Sequence, residues 1–157
     1  MDQNEFIVAD TPHDFSDTSI QILNASSHIL LVMAPELSSL RAAANAINIY
    51  DKLGFADEKI KIVLSMVTNH SGIKHGQLEK ALGRPIPYTV PYAPEEVVRA
   101  INFGEPFILS NPDLPISMKI EEMAYQLSDE VYKKLPPAVP SVAWKRVTTQ
   151  LAAKKKS

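Results

Sequence analysis

The sequence contains no cysteine, and this absence excludes several kinds of chemistry. A chain without thiols has no disulfide framework, no thiolate metal site and no cysteine nucleophile. Long apolar runs are also missing, because none approaches the roughly 20 residues that a membrane span needs. The first five residues are polar and partly acidic, unlike a secretory signal peptide. We therefore expect a cytoplasmic protein.

Glycine is scarce, and its placement excludes a phosphate-binding loop within this sequence. Such a loop needs glycines, which allow the backbone to approach the phosphates closely, and a lysine for the charge. None of the five glycines opens a Gly-Lys-Ser/Thr sequence after an apolar run; they are Gly54, Gly72, Gly76, Gly83 and Gly104. The chain alone is therefore expected to be incompetent for nucleotide hydrolysis.

Acidic residues are missing after Glu130, although seven lysines and arginines follow it. Residues 1–130 hold nine basic and 18 acidic side chains, a net charge of -9. An acidic body with a basic tail is typical of an interaction arm, and we expect no nucleic-acid partner.

The tail also has an apolar stripe, because Trp144, Val147 and Leu151 recur at helical spacing. Two interpretations remain open. The stretch from Trp144 to Lys156 can dock weakly on the inner face of a membrane, as a basic amphipathic helix does. Alternatively, it frays or folds back on the body of the protein. A proline-rich linker, residues 136–143, separates the tail from the rest.

Short apolar runs alternate with helical patterns along residues 1–135. Runs that are apolar on both faces indicate strands covered on both sides, as in parallel sheets. Four such runs are present: Phe6–Ala9, His28–Met33, Lys59–Val67 and Pro87–Pro91. Helical patterns follow them, with Ser16 or Asp17 as a first cap and stops at Gly54, Gly83, Gly104 and before Pro136. The last helical pattern runs from Ile116 to Val131. The resulting β-α-β-α-β-α-β-α-α order predicts a doubly wound, mostly parallel α/β sheet flanked by helices.

Ligands of doubly wound sheets bind at the carboxyl ends of the strands, which directs attention to the segment Phe6–Asp17. The pattern predicts a core strand that delivers Asp10 to this edge. An aspartate there can hold the water shell of a phosphate-bound Mg²⁺. It can equally make a turn with Thr11 and Pro12, or cap the next helix. A weaker hypothesis is a metal-dependent hydrolase in which Asp10, Asp14 and Asp17 bind a cation directly.

Four stretches together resemble the C-terminal half of the MinD/ParA-like ATPases, with the pilus-assembly CpaE-type branch looking closest. They are FIVADTPHDFSD, ASSHILLVMAPELSSLR, HSGIKHGQLEKALGRPI and PYAPEEVVRAINFGEPFILSNPDLPIS. The resemblance covers roughly residues 5–130. It implies part of a P-loop NTPase fold that dimerises around ATP and Mg²⁺.

The resemblance also assigns residues. Asp10 matches the Walker B or switch II aspartate, which is catalytic and holds Mg²⁺ through water. The matching nucleotide-binding positions are Thr11, Pro12, Ser65, Pro91, Tyr92 and Ala93. Two of them depart from the family pattern, because Ser65 replaces an asparagine that reads adenine, and Ala93 replaces an aspartate. Adenine recognition is therefore expected to be reduced.

The family's phosphate loop follows a central strand that lies between the strands matching Phe6–Ala9 and His28–Met33. Its absence predicts that these two strands either pair directly or recruit another chain, as a homodimer or with a complementing N-terminal half. The resemblance implies a role in nucleotide-dependent positioning or assembly of pilus or secretion machinery. The alternative is a non-catalytic module that docks a partner through the exposed half-sheet.

Overall fold

A computed structural model describes residues 6–68, 72–128, 133 and 142–154 of the chain. The described strands are β1 (Ile29–Met33), β2 (Ile60–Ser65) and β3 (Tyr88–Val90). The described helices are α1 (Asp17–Ala25), α2 (Leu37–Lys52), α3 (His75–Leu82), α4 (Pro94–Phe103), α5 (Phe107–Ser110), α6 (Pro115–Leu127) and α7 (Val142–Lys154).

The three strands form one parallel sheet in the order β1-β2-β3. Ile29 pairs with Ile60 at one end, and Met33 pairs with Leu64 near the other. Helices α2 and α3 make the two crossovers, which confirms the predicted parallel arrangement for the last three of the four apolar runs.

One face of the sheet packs on α1, α2 and α3. Alternate residues of β2, Ile62 and Leu64, point to this face and are 1% and 3% exposed. They meet Ile47 of α2 and Leu78 of α3 in the main core. Burying each such side chain stabilises the fold by about 1.5–3 kcal/mol. This core therefore determines how the two crossover helices lie on the sheet.

The opposite face is covered only in part among the described residues. Helix α6 packs beside β3, and α7 packs on α6. Val63 of β2 is buried on this side, whereas Leu30 and Val32 of β1 are 40% and 61% exposed. Helices on both faces confirm the predicted doubly wound α/β class, and the β1 side of this face stays open.

The helix ends follow the predicted signals in most places. Ser16 caps α1 by accepting a hydrogen bond from the Ser19 amide. Gly83 and Gly104 follow α3 and α4 with φ angles of 65° and 66°, in the left-handed region that glycine adopts without strain. Helix α6 ends at Leu127, whereas the sequence predicts a helix that continues until before Pro136. Residues 129–132 lie outside the described ranges.

The prediction of a strand at Phe6–Ala9 is wrong for the described structure. Residues 6–12 are described but form neither helix nor strand. Ile7 and Val8 are 75% and 94% exposed. A strand needs a neighbour to pair its backbone groups, and no described strand lies beside this segment. The run therefore has the composition of a core strand, but the described residues include no neighbouring strand that could pair with it.

The boundary predicted for the C-terminal tail is also corrected. Helix α7 begins at Val142, so residues 142 and 143 belong to the helix rather than to the linker. The other linker residues and residues 155–157 lie outside the described ranges. Val147 is 2% exposed, because α7 packs against α6. Val147, the middle residue of the apolar stripe, thus faces the body of the protein, whereas Trp144 and Leu151 are partly exposed. Among the described residues, no helix is long and apolar enough to cross a membrane.

Candidate functional site

The carboxyl ends of the three parallel strands lie along one edge of the sheet, which we call the rim. Ser65 ends β2, and Pro91 follows β3 directly. The Met66 amide donates a hydrogen bond of 2.9 Å to the Val90 carbonyl, which continues the pairing of these two strands onto the rim. Ser65 and Pro91, two of the predicted nucleotide-binding residues, therefore lie on neighbouring strand ends.

The segment after β3 turns directly into α4. Tyr92 is 39% exposed, and Ala93 is the residue that precedes the helix. Ala93 makes no side-chain cap, since a methyl group cannot accept a hydrogen bond from the first-turn amides. The start of α4 therefore has no side-chain cap.

The end of β1 is tied to the start of α2 by hydrogen bonds. The Ala34 amide donates to the Ser39 hydroxyl oxygen at 2.9 Å, and the Ser38 hydroxyl donates to the Glu36 carboxylate at 2.9 Å. The Glu36 carboxylate therefore lies beside the N-terminus of α2, where negative charge is favourable.

Asp10, Thr11 and Pro12 lie in the exposed stretch before α1 and not at a strand end. The structure therefore groups Ser65, Pro91, Tyr92 and Ala93 at the rim but does not place Asp10 there through a strand. The catalytic and metal-holding role of Asp10 stays a prediction from the resemblance.

Asp14 has a different role from the one that an acidic cation cluster would give it. Its carboxylate accepts hydrogen bonds from the hydroxyls of Ser19 at 2.7 Å and Ser16 at 2.9 Å. These bonds lower the pKa of Asp14 from its ordinary value. Asp14 thus supports the start of α1. Within the described ranges no group of three histidine or acidic residues is placed so that it could hold a metal ion.

One polar cluster was not predicted from the sequence. Arg146 of α7 lies 3.3 Å from the Glu121 carboxylate of α6 and 3.6 Å from that of Asp113, and also donates to the Pro112 carbonyl. The Glu121 side chain is only 6% exposed. From the sequence, Arg146 is one of the basic residues of a tail whose packing stays open. Glu121 lies on the inward face of α6, four residues after the buried Ser117. The sequence indicates the burial of this glutamate only weakly.

A parallel sheet with helices on both faces and an open rim belongs to the class of α/β domains that bind ligands at the carboxyl ends of their strands. In this chain the architecture is part of the MinD/ParA-like ATPase fold. The ParA family ATPase from Chlorobium tepidum TLS superposes with a TM-score of 0.65 at 23% identity, over 72% of this chain and 46% of that one. A chain of the MinC:MinD cell division protein complex from Aquifex aeolicus gives a TM-score of 0.59 at 21% identity, over 75% of this chain and 48% of that one.

Sequence relatives support the same relationship. An uncharacterized ATP-binding protein of Methanocaldococcus jannaschii is 29% identical over 132 residues, which are 82% of this chain and 48% of that protein. The septum site-determining protein MinD of Thermotoga maritima is 26% identical over 132 residues, or 80% and 48%. The chain therefore spans about half the length of the relatives that it matches. No protein-family model matches it.

Proposed function

We propose that this chain is the C-terminal part of a MinD/ParA-like ATPase that requires a second polypeptide, equivalent to the N-terminal half, for nucleotide chemistry. The similarity to an ATP-binding protein over 82% of this chain but 48% of the relative supports this proposal best. The parent activity would be nucleotide-dependent positioning or assembly of pilus or secretion machinery in the cytoplasm, as in the CpaE-type branch.

The residues of this chain do not by themselves fit ATP and Mg²⁺. The sequence has no phosphate loop, and the described rim offers few polar groups to a base. Ser65 provides one hydroxyl group, which reaches less far than an asparagine amide and makes fewer hydrogen bonds. Ala93 provides no polar side-chain group. We therefore derive no catalytic step from this chain alone.

In the complemented assembly this chain would supply the base side of the pocket and the switch aspartate. A central strand from the second polypeptide would pair with the segment at residues 6–9. The segment could then become a strand and carry Asp10 to the rim. Bound Mg²⁺ would neutralise phosphate charge there.

Isothermal titration calorimetry with ATP and Mg²⁺ tests the proposal. We expect no binding by the chain alone, and binding after addition of an N-terminal polypeptide that carries a phosphate loop, taken from the Thermotoga maritima relative. ATP binding by the chain alone would contradict the requirement for a second polypeptide.

The variant Asp10→Asn tests the switch role within the complemented assembly. We expect it to abolish ATP hydrolysis while it leaves ATP binding nearly unchanged, because the residue is assigned to the metal and not to the base. The matched control is Asp17→Asn, an equally exposed aspartate in the same segment, which should leave hydrolysis unchanged. Equal effects of the two variants would refute the assignment.

A second candidate is a non-catalytic module that docks a partner through the half-sheet. The exposure of Leu30 and Val32 favours it, because apolar side chains on a sheet face are usually covered. Failure to bind ATP both alone and after complementation, with a folded chain in each case, would favour this candidate.

A further inference from the structure

The paired ends of β2 and β3 carry the groups of this chain that would meet the base of a nucleotide bound at the rim. To distinguish adenine from guanine, a site needs a donor or an acceptor of fixed kind, because adenine presents an amino group where guanine presents the O6 oxygen. The groups that the two strand ends provide therefore determine which bases the rim can accept.

The described side chains that follow these strands suit both purines. The Ser65 hydroxyl rotates, so it can donate to guanine O6 or accept from the adenine amino group. Ala93 has no polar side-chain group. The next carboxylates along the chain are Glu95 and Glu96 in the first turn of α4. They can accept a hydrogen bond from the amino group that either purine carries.

Two backbone carbonyls at the rim already accept hydrogen bonds within the protein. The Val90 carbonyl accepts from the Met66 amide at 2.9 Å, and the Ala93 carbonyl accepts from the Val97 amide at 3.2 Å. The first bond continues the pairing of the strands, and the second begins α4. Both acceptors therefore hold the rim together, and reading a base edge is not needed to satisfy them.

Tyr92 provides a different kind of contact at the same place. Its side chain is 39% exposed, and it follows β3 directly after Pro91. Pro91 and Pro94 restrict the backbone on both sides of Tyr92 and Ala93, so the ring is held on a stiff segment. Every base has a flat aromatic face, and stacking on a protein ring tolerates any base for that reason.

We propose that the rim binds the base of a purine nucleoside triphosphate by stacking on Tyr92, and that it does not discriminate between adenine and guanine. This inference rests on the proposed function, in which this chain supplies the base side of the pocket and a second polypeptide supplies the phosphate loop. The phosphates then contribute the selective contacts, and the base contributes affinity without selectivity.

Calorimetric titration of the complemented assembly with three ligands tests the selectivity. The ligands are the β,γ-imido analogues of ATP and GTP, which resist hydrolysis, and inorganic tripolyphosphate, each with Mg²⁺. We expect the two nucleotide analogues to differ in dissociation constant by less than about fivefold, since one good base-reading contact would give more. A larger preference for either base would overturn the inference and leave the proposed function standing. If none of the three ligands binds, the proposed function fails and this inference fails with it.

The variant Tyr92→Ala tests the stacking in the same assembly. We expect it to raise the dissociation constants of both nucleotide analogues by about fivefold or more, because a stacked base loses its platform. The dissociation constant of tripolyphosphate should stay unchanged, since this ligand has no base. Tyr92→Phe should bind both analogues like the native chain, because stacking needs the ring and not the hydroxyl.

Phe103→Ala is the matched control, at an aromatic residue that is 72% exposed at the far end of α4. It should leave all three dissociation constants unchanged. Equal effects of Tyr92→Ala and Phe103→Ala on the nucleotide analogues would overturn the stacking role. A loss of tripolyphosphate binding in Tyr92→Ala as large as the loss of nucleotide binding would overturn it as well, because the variant would then have disturbed the whole pocket.

Discussion

The contact between Arg146 and Glu121 provides a quantitative test of whether α7 is part of the folded body. Replacing Arg146 by methionine keeps most of the apolar stem but removes the guanidinium group. Glu121 then keeps a carboxylate that is 6% exposed, without the cation that lies 3.3 Å away in the native structure. The Pro112 carbonyl also loses its donor.

The expected cost follows from the burial of the pair. Removing one partner of a fully buried ion pair destabilises a protein by about 3–5 kcal/mol, whereas exposed pairs contribute about 0–1 kcal/mol. The Arg146 side chain is 16% exposed, so water can partly replace it. We therefore expect Arg146→Met to lower the free energy of unfolding by about 2–3 kcal/mol, between these two limits.

Urea denaturation followed by circular dichroism measures this change. Lys145→Met is the matched control, because Lys145 is the neighbouring cation on the same helix but is exposed. It should change the free energy of unfolding by no more than about 0.5 kcal/mol. In a Glu121→Gln background, Arg146→Met should cost clearly less than in the native chain, because no buried charge is left unpaired.

Equal effects of Arg146→Met and Lys145→Met would refute the reasoning, since they would mean that α7 contributes nothing through this contact. An undiminished cost in the Glu121→Gln background would show that Arg146 acts through the Pro112 carbonyl alone.

Two further predictions concern helix ends. Asp14→Asn should lower the melting temperature at neutral pH, because hydrogen bonds from Ser19 and Ser16 lower the pKa of this carboxyl group. A lowered pKa means that the ionised group stabilises the fold above its ordinary pKa and that this contribution disappears as the pH falls through the lowered value. Melting curves from pH 7 downward should therefore show the native chain and the variant converging in acid, and a constant difference would contradict the assignment. Gly83→Ala should lower the free energy of unfolding by about 1–2 kcal/mol, because φ is 65° there. Gly76→Ala inside α3 should leave the free energy of unfolding unchanged or raise it by up to about 1 kcal/mol. Urea denaturation measures both changes, and equal losses of stability would contradict the backbone argument.

Local signals in the sequence were sufficient for most of the fold. Helix α4 begins at Pro94 and ends before Gly104 as predicted, because proline at the first position and glycine after the last are physical constraints on the backbone. The strands β1 and β2 were recognised because they are apolar on both faces. The packing of α7 was left open, since a stripe of Trp144, Val147 and Leu151 suits a membrane and a protein surface equally well. The contact of Arg146 with Glu121 on a distant helix, which ties α7 to α6, could not be foreseen from the stripe.

The sequence predicted correctly the part of the candidate site that lies on the paired strands β2 and β3. It did not predict correctly the part that needs a strand at Phe6–Ala9. Ser65 and Pro91 lie together because β2 and β3 are paired within this chain. Asp10 was expected at the same rim, but its strand would need a partner that the described residues do not contain. A sequence pattern reports that a segment is suited to a sheet interior, and it does not report whether the other strands of that interior are present.

The exposure of the run Phe6–Val8 and the absence of a described strand beside the outer edge of β1 can therefore have one explanation. Both are apolar on two faces, and α1 lies between them in the chain. A complementing polypeptide could satisfy both at once. Hydrogen exchange at the amides of residues 6–10 tests this explanation. We expect fast exchange in the chain alone and slow exchange in the complemented complex, because only there would these amides be paired in a sheet. Equal exchange rates in the two samples would show that the second polypeptide does not pair with this segment.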